Sequence, residues 1–152
     1  MKKESRAAAQ AIANAIACSF EKSPEEIESF FNVLGDKLAD QRFSSRERSE
    51  IRRRITEAKI SILFKKRDSE RLFRSAWNEM LALGFSNAER EATMRNYHIE
   101  FLLRTGASEQ EILDEIQKFD SIIQNKIRKA APKMAAHFMT VKRRHLKSLR
   151  SR

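Results

Sequence analysis

Cysteine, glycine and proline are all scarce in this chain: 152 residues hold one Cys (Cys18), three Gly and two Pro. A lone cysteine excludes an internal disulfide and a zinc site built from thiolates, and it fits a reducing, cytoplasmic location. So few turn-forming residues argue against a many-stranded sheet protein, and 41% hydrophobic content argues against a disordered chain. No run approaches the roughly 18 apolar residues that a membrane span needs. Catalytic signatures are missing too. Only three histidines occur (His98, His137, His145), with no HExxH, no Gly-rich phosphate loop and no GxSxG. A nucleophile would have to pair Cys18 with one of those histidines. In an Ala-rich helix, however, a cysteine reads as a small buried hydrophobe. The expectation is a non-catalytic protein with no metal and no cofactor.

The last absence carries a sign: no acidic residue follows Asp120. Residues 121–152 contain ten Lys or Arg and no Asp or Glu, and the other 120 residues hold 21 of each sign, so the net charge of +10 arises in this tail. Unbalanced like charge repels itself unless a partner screens it, which implies an anionic partner.

Local patterns favour helices throughout. Four Ser-x-x-Glu boxes stand before apolar runs at helical spacing: Ser23…Glu26, Ser44…Glu47, Ser86…Glu89 and Ser108…Glu111. In such a box the Ser oxygen and the Glu carboxylate each satisfy a backbone amide of the first turn. Pro24 sits at a first helical position, Gly84 and Gly106 at helix ends, and Pro132 where a helix must break. The expected helices are 5–21, 24–41, 45–66, 69–83, 87–105, 109–131 and 133–149. Apolar stripes support them: Ile27, Phe30, Phe31, Leu34 and Leu38; Ile51, Ile55, Ala58, Ile62 and Leu63; Leu72, Phe73, Ala76, Trp77 and Met80; Ile112, Ile116, Phe119, Ile123 and Ile127. Helix 87–105 is apolar on more than one side and is expected to be the most buried. The fold class is therefore all-α, a single helical domain of six to seven helices over 1–131, followed by a basic C-terminal helix or arm over 132–152.

Two further patterns are structural. Met1-Lys2-Lys3, Ala7–Ala17 and Cys18 loosely resemble a bacterial lipoprotein signal. Glu4, Gln10 and Asn14 interrupt it, and Ala8, Ile12, Ala15, Ile16, Ser19 and Phe20 recur at helical spacing, so an Ala-rich helix is the preferred reading. An echo at an offset of 42 residues (Phe43-Ser44 against Phe85-Ser86) suggests two helical hairpins with shared punctuation.

Two basic clusters carry the functional expectation. Residues 42–74 hold 12 Lys or Arg against five acids, and Arg48, Arg52, Lys59 and Lys66 follow spacings of four and seven, with Arg53 beside them. Such a stripe can track phosphates; its rival is a solvated face paired with Glu47, Glu50 and Glu57. The tail adds Lys129, Lys133, Lys142, Arg143, Arg144, Lys147 and Arg150 on an amphipathic segment whose apolar side is Met134, Ala135, Phe138, Val141, Leu146 and Leu149. With Phe138 as the tail's only aromatic, membrane-surface binding ranks below nucleic acid. Residues 102–113 outline a helix-turn-helix, but Glu109, Glu111, Asp114 and Glu115 at the would-be reading end make it an ordinary hairpin.

Arg143…Arg150-Ser151-Arg152 resembles the Arg-rich C-terminal tails of substrates of bacterial type IV secretion systems, a likeness confined to the last ten residues. It implies a tail read by an export machine. The leading expectation is a non-catalytic accessory or regulatory protein that binds nucleic acid (DNA or RNA) through the arm and the Arg/Lys-rich helix. The alternative is a helical protein–protein interaction module, an adaptor or secreted effector. Its polarity of −5 over 75–120 beside +7 over 42–74 suits a protein partner or a homo-oligomer.

Overall fold

A computed structural model describes residues 3–39 and 42–152. The all-α expectation holds. The helices are α1 (Lys3–Cys18), α2 (Pro24–Ala39), α3 (Ser45–Leu63), α4 (Glu70–Leu83), α5 (Ala88–Arg104), α6 (Glu109–Ile122) and α7 (Pro132–Arg150), with a π-helical turn at Ile123–Ile127. No strand occurs among the described residues, and none of their helices is long and apolar enough to cross a membrane. Met1-Lys2 and the expected end of the second helix, residues 40 and 41, lie outside the described residues. Contacts gather in two compact units, Met1–Gly84 and Phe85–Arg152. Residues 132–152, read above as an arm, are α7 and its last two residues, and they belong to the second unit.

Helix starts follow the capping logic with one correction. Glu26 N donates to Ser23 Oγ at 3.2 Å, Ser23 N to Glu26 Oε1 at 3.4 Å, and both halves of the Ser44/Glu47 box are 3.2 Å long. Ser108 Oγ accepts from Glu111 N at 3.2 Å. The fourth box does not form as expected. Extended Asn87, one residue later than Ser86, caps α5, its Oδ1 accepting from Arg90 N at 2.9 Å. Asparagine competes well for this position, so the helix begins one residue on.

In the first unit α3 is central, and α1, α2 and α4 all pack on it. Its stripe of Ile51, Ile55, Ala58, Ile62 and Leu63 is buried, Ile60 is buried as well, and the α4 stripe is buried throughout. Two expectations fail at the edges. Ile27, Phe31 and Leu38 of α2 are buried, but Phe30 is 37% exposed, with the Lys22 ammonium 5.3 Å above its ring. On α1, Ala8, Ile12 and Ala15 are buried, whereas Phe20 is 63% exposed. Cys18 is exposed rather than buried. For Phe20 the cause is local: α1 stops at Cys18, and Ser19 Oγ turns back to donate to Ala15 O at 2.6 Å, so the helical period does not reach Phe20.

In the second unit α5 packs against α6, the π-helical turn and α7. Its buried residues Ala92 and Ile99 lie on one side and Met94 and Phe101 on another, the distribution expected of a central helix. Gly106 (φ +72°) ends α5, and Ala107 N reaches back to Leu102 O at 3.1 Å to close the turn. The hairpin reading of α5 and α6 agrees with this geometry. The single helix expected over 109–131 is broken. Arg128 N donates to Ile123 O at 2.9 Å, a wider winding than the α-helix, and the chain then turns before Pro132, which has no N–H to continue it. α7 presents Ala135, Phe138, Val141, His145 and Leu149 to the interior, and the Phe119 ring meets Phe138 edge-on at 5.8 Å.

Candidate nucleic-acid interface

Five of the six basic residues of α3 have partners within the first unit. Arg48 Nε donates to Phe43 O (3.3 Å), and Arg52 Nη2 lies 3.6 Å from Glu79 Oε1. Arg53 donates to Leu83 O (3.3 Å) and pairs with Glu50, which also holds Arg54 at 3.3 Å. Lys59 Nζ reaches Asn32 Oδ1 at 3.4 Å, and just past the helix Lys66 Nζ donates to Phe20 O. Each side chain that the spacing aligned as a phosphate track thus spends donors on a neighbouring element. Glu47 serves the cap and Glu57 is buried, so of the acids expected to pair with this face Glu50 makes the ion pairs described.

The tail residues are arranged differently. Helical geometry places Lys133, Arg143 and Lys147 on the side of α7 opposite Phe138, with Arg144 and Arg150 flanking them on either side. All five are exposed and, among the described residues, make no hydrogen bond or ion pair. Lys129 is exposed in the turn before α7 in the same condition. Lys142 is the exception. It points inward and its Nζ lies 3.1 Å from Asp120 Oδ1. The structure therefore brings Arg143, Arg144, Lys147 and Arg150 together on one outer face and removes Lys142 from it.

The second unit also holds groups that the sequence reading passed over. His145 sits in the apolar face of α7, 5% exposed, with Nε2 2.6 Å from Asn96 Oδ1 and its ring 6.4 Å from that of Phe119. Burial first, and then the charge of Arg144, lower its pKa to about 4, so it is neutral at pH 7 and donates from Nε2. The signal was a histidine at apolar spacing between Val141 and Leu149. Across α5 and α6, Arg95 Nη1 meets Glu115 Oε1 at 2.7 Å, Arg95 Nε meets Glu91 Oε2 at 3.0 Å, and His98 Nδ1 lies 3.4 Å from Glu115. Burial opposes the Glu115 charge, but His98 and Arg95 outweigh it and hold the carboxyl below its usual range. Arg95 also stacks over Phe85 at 5.6 Å. This network accounts for Glu91 and Glu115 as structural groups: Glu91 holds Arg95 within α5, and Glu115 ties α5 to α6.

Among the described residues no three His, Cys, Asp or Glu side chains converge in a metal-ligand arrangement. Comparison of the chain with protein families, curated proteins and solved structures finds no match.

Proposed function

We propose that the protein is a non-catalytic, cytoplasmic accessory or regulatory protein that binds nucleic acid through the outer face of α7. One observation carries the reading: Arg143, Arg144, Lys147 and Arg150 share an exposed face without an internal partner. Such cations release counterions when phosphates replace water around them, giving affinity with little sequence preference. Lys129 and Lys133 extend the same charge toward the start of the helix. The α3 residues, already committed within their own unit, contribute little on this reading.

The test is fluorescence anisotropy on the full chain with duplex DNA and a structured RNA across a salt series. Removing residues 132–152 would strip Phe138, Val141 and Leu149 from the core, so charge reversal replaces truncation. Four phosphate contacts to a duplex predict a slope of log affinity against log salt of about −4. In Arg143→Glu/Lys147→Glu/Arg150→Glu the slope and the affinity both collapse while the fold persists. Flat binding curves for the unaltered chain at low salt reject the reading.

A second reading has its own observation. Glu109, Glu111 and Asp114 are exposed on α6, opposite in sign to α7 within one unit. That polarity favours a charged protein partner or head-to-tail self-association. Mass measured across salt concentrations tests it, and a monomer throughout removes self-association.

A further inference from the structure

A cleft of about 530 Å³ opens between α5 and α7 within the second unit, a volume in the range of small-molecule sites, about 300–1,000 Å³. Its lining is chemically divided. Arg104 from the last turn of α5, Arg144 from α7 and Arg152 from beyond it line the cleft; Arg152 Nη2 also donates to Ala107 O at 2.8 Å, and Arg104 lies over the Phe101 ring at 5.5 Å. Leu103 and Val141 supply apolar wall, and Asn96 and Glu100 supply a polar edge.

Helix ends explain part of this charge, since α5 ends at Arg104 and α7 at Arg150, and cations beside helix C-termini are favoured. Arg144 lies more than a turn upstream of that end, where the dipole no longer acts. Its charge helps to keep His145, in the floor of the cleft, unprotonated. Arg144 makes no hydrogen bond or ion pair among the described residues, and a guanidinium that cannot shed its proton is satisfied by an anion. Glu100 points to more than a simple oxyanion. It is half-buried, and among the described residues it makes no ion pair or hydrogen bond, not even with Arg104 one turn away. A ligand that satisfies both needs carries a phosphate and, at a distance from it, N–H donors on an apolar ring.

We propose that the α5–α7 cleft binds a nucleotide: the arginines hold its phosphate, Leu103 and Val141 cover its base, and Glu100 accepts from the base edge. A carboxylate takes two parallel hydrogen bonds from guanine N1–H and its amino group, fewer from adenine or cytosine, and finds no amino group on uracil. Guanine is the preferred base. The site does not rest on the reading of the outer face of α7, from which it differs in every residue but Arg144.

The experiment is nuclear magnetic resonance on the full chain, following the His145 ring and the Asn96 side-chain amide during titration with GMP, UMP or inorganic phosphate. GMP should move both signals saturably, bind at least tenfold tighter than UMP or phosphate, and raise the His145 titration midpoint as the Arg144 charge is neutralised. Glu100→Ala should remove the preference for GMP over UMP, and Arg104→Gln should weaken GMP at least tenfold; both are exposed or half-buried positions that leave the core intact. Equal affinity for all three ligands, or no movement at millimolar concentration, overturns the proposal. A U-tract RNA with one internal G separates the sources: it moves the same signals if the cleft takes an unpaired nucleotide of a strand, and does not if it takes a free one. Arg143→Glu/Lys147→Glu/Arg150→Glu leaves the lining intact, so GMP binding there survives even where binding of long nucleic acid is lost.

Discussion

α3 and α7 are both 19 residues long and both carry six Lys or Arg. They differ in where those charges go. On α3, five of the six (Arg48, Arg52, Arg53, Arg54, Lys59) donate to acids, amides or carbonyls of the first unit. On α7, five of the six have no hydrogen-bond or ion-pair partner among the described residues, and Lys142 alone is held, by Asp120. α3 carries Glu47, Glu50 and Glu57 within its own length and is packed by helices on several sides, so its long side chains find acceptors. α7 has no acid, and its outer face meets water. A count of basic residues is thus a poor measure of charge available to a partner; what matters is the number of acceptors within reach.

The contrast can be tested where charge is most deeply neutralised. Glu115→Ala should leave Arg95 half-buried beside His98 without its closest acceptor, lowering unfolding free energy by about 3 kcal/mol in a denaturant titration. An unchanged midpoint would mean that the network is replaceable by water. Next comes Arg143→Glu/Lys147→Glu/Arg150→Glu, expected to weaken nucleic-acid binding about 100-fold at low salt with little change in stability. The matched reversal on α3, Arg48→Glu/Arg52→Glu/Lys59→Glu, should change binding by less than about threefold. Equal losses from the two triples would erase the distinction between committed and available charge.

Acidification probes the interior side of α7. The unfolded chain protonates His145 near 6.5 and the folded chain near 4, so below pH 6.5 protons favour the unfolded state. Stability should be nearly flat well above pH 6.5 and fall by about 3 kcal/mol between pH 6.5 and 4. His145→Phe should flatten that window. Loss that persists below about pH 4.5 belongs to carboxylates such as Glu115, whose lowered pKa stabilises the fold above that range. The smallest effect is expected at Arg52→Ala. Its pair with Glu79 is solvent-exposed, and thermal unfolding should register less than about 0.5 kcal/mol.

Much of this architecture was legible from local pattern because local forces decide it. Ser44 and Ser108 cap helices, Gly106 ends one, and Pro132 separates two, each through interactions spanning three to five residues. The stripes of α3, α4 and α6 are buried because helical period alone puts those side chains on one face. Where two residues compete for a local role, as Ser86 and Asn87 do, the pattern located the helix start to within one residue. Where a helix ended early, as α1 does at Cys18, periodicity overran the true boundary and misjudged Phe20; Cys18, inside α1, was misjudged from residue type alone.

By itself the sequence determined that the chain is helical, where the main buried stripes of α3, α4 and α6 lie, and that an excess of positive charge lies beyond Asp120. Tertiary structure alone decided which of those charges remain available, because the acceptor that takes Lys142 is Asp120 of a different helix, just as Arg95 meets Glu115 and His145 meets Asn96 across helices. The same packing sorted Lys142 inward and Arg143 outward. Ion pairs and desolvation act over a few ångströms of space, and no spacing along the chain records which distant segment supplies the acceptor.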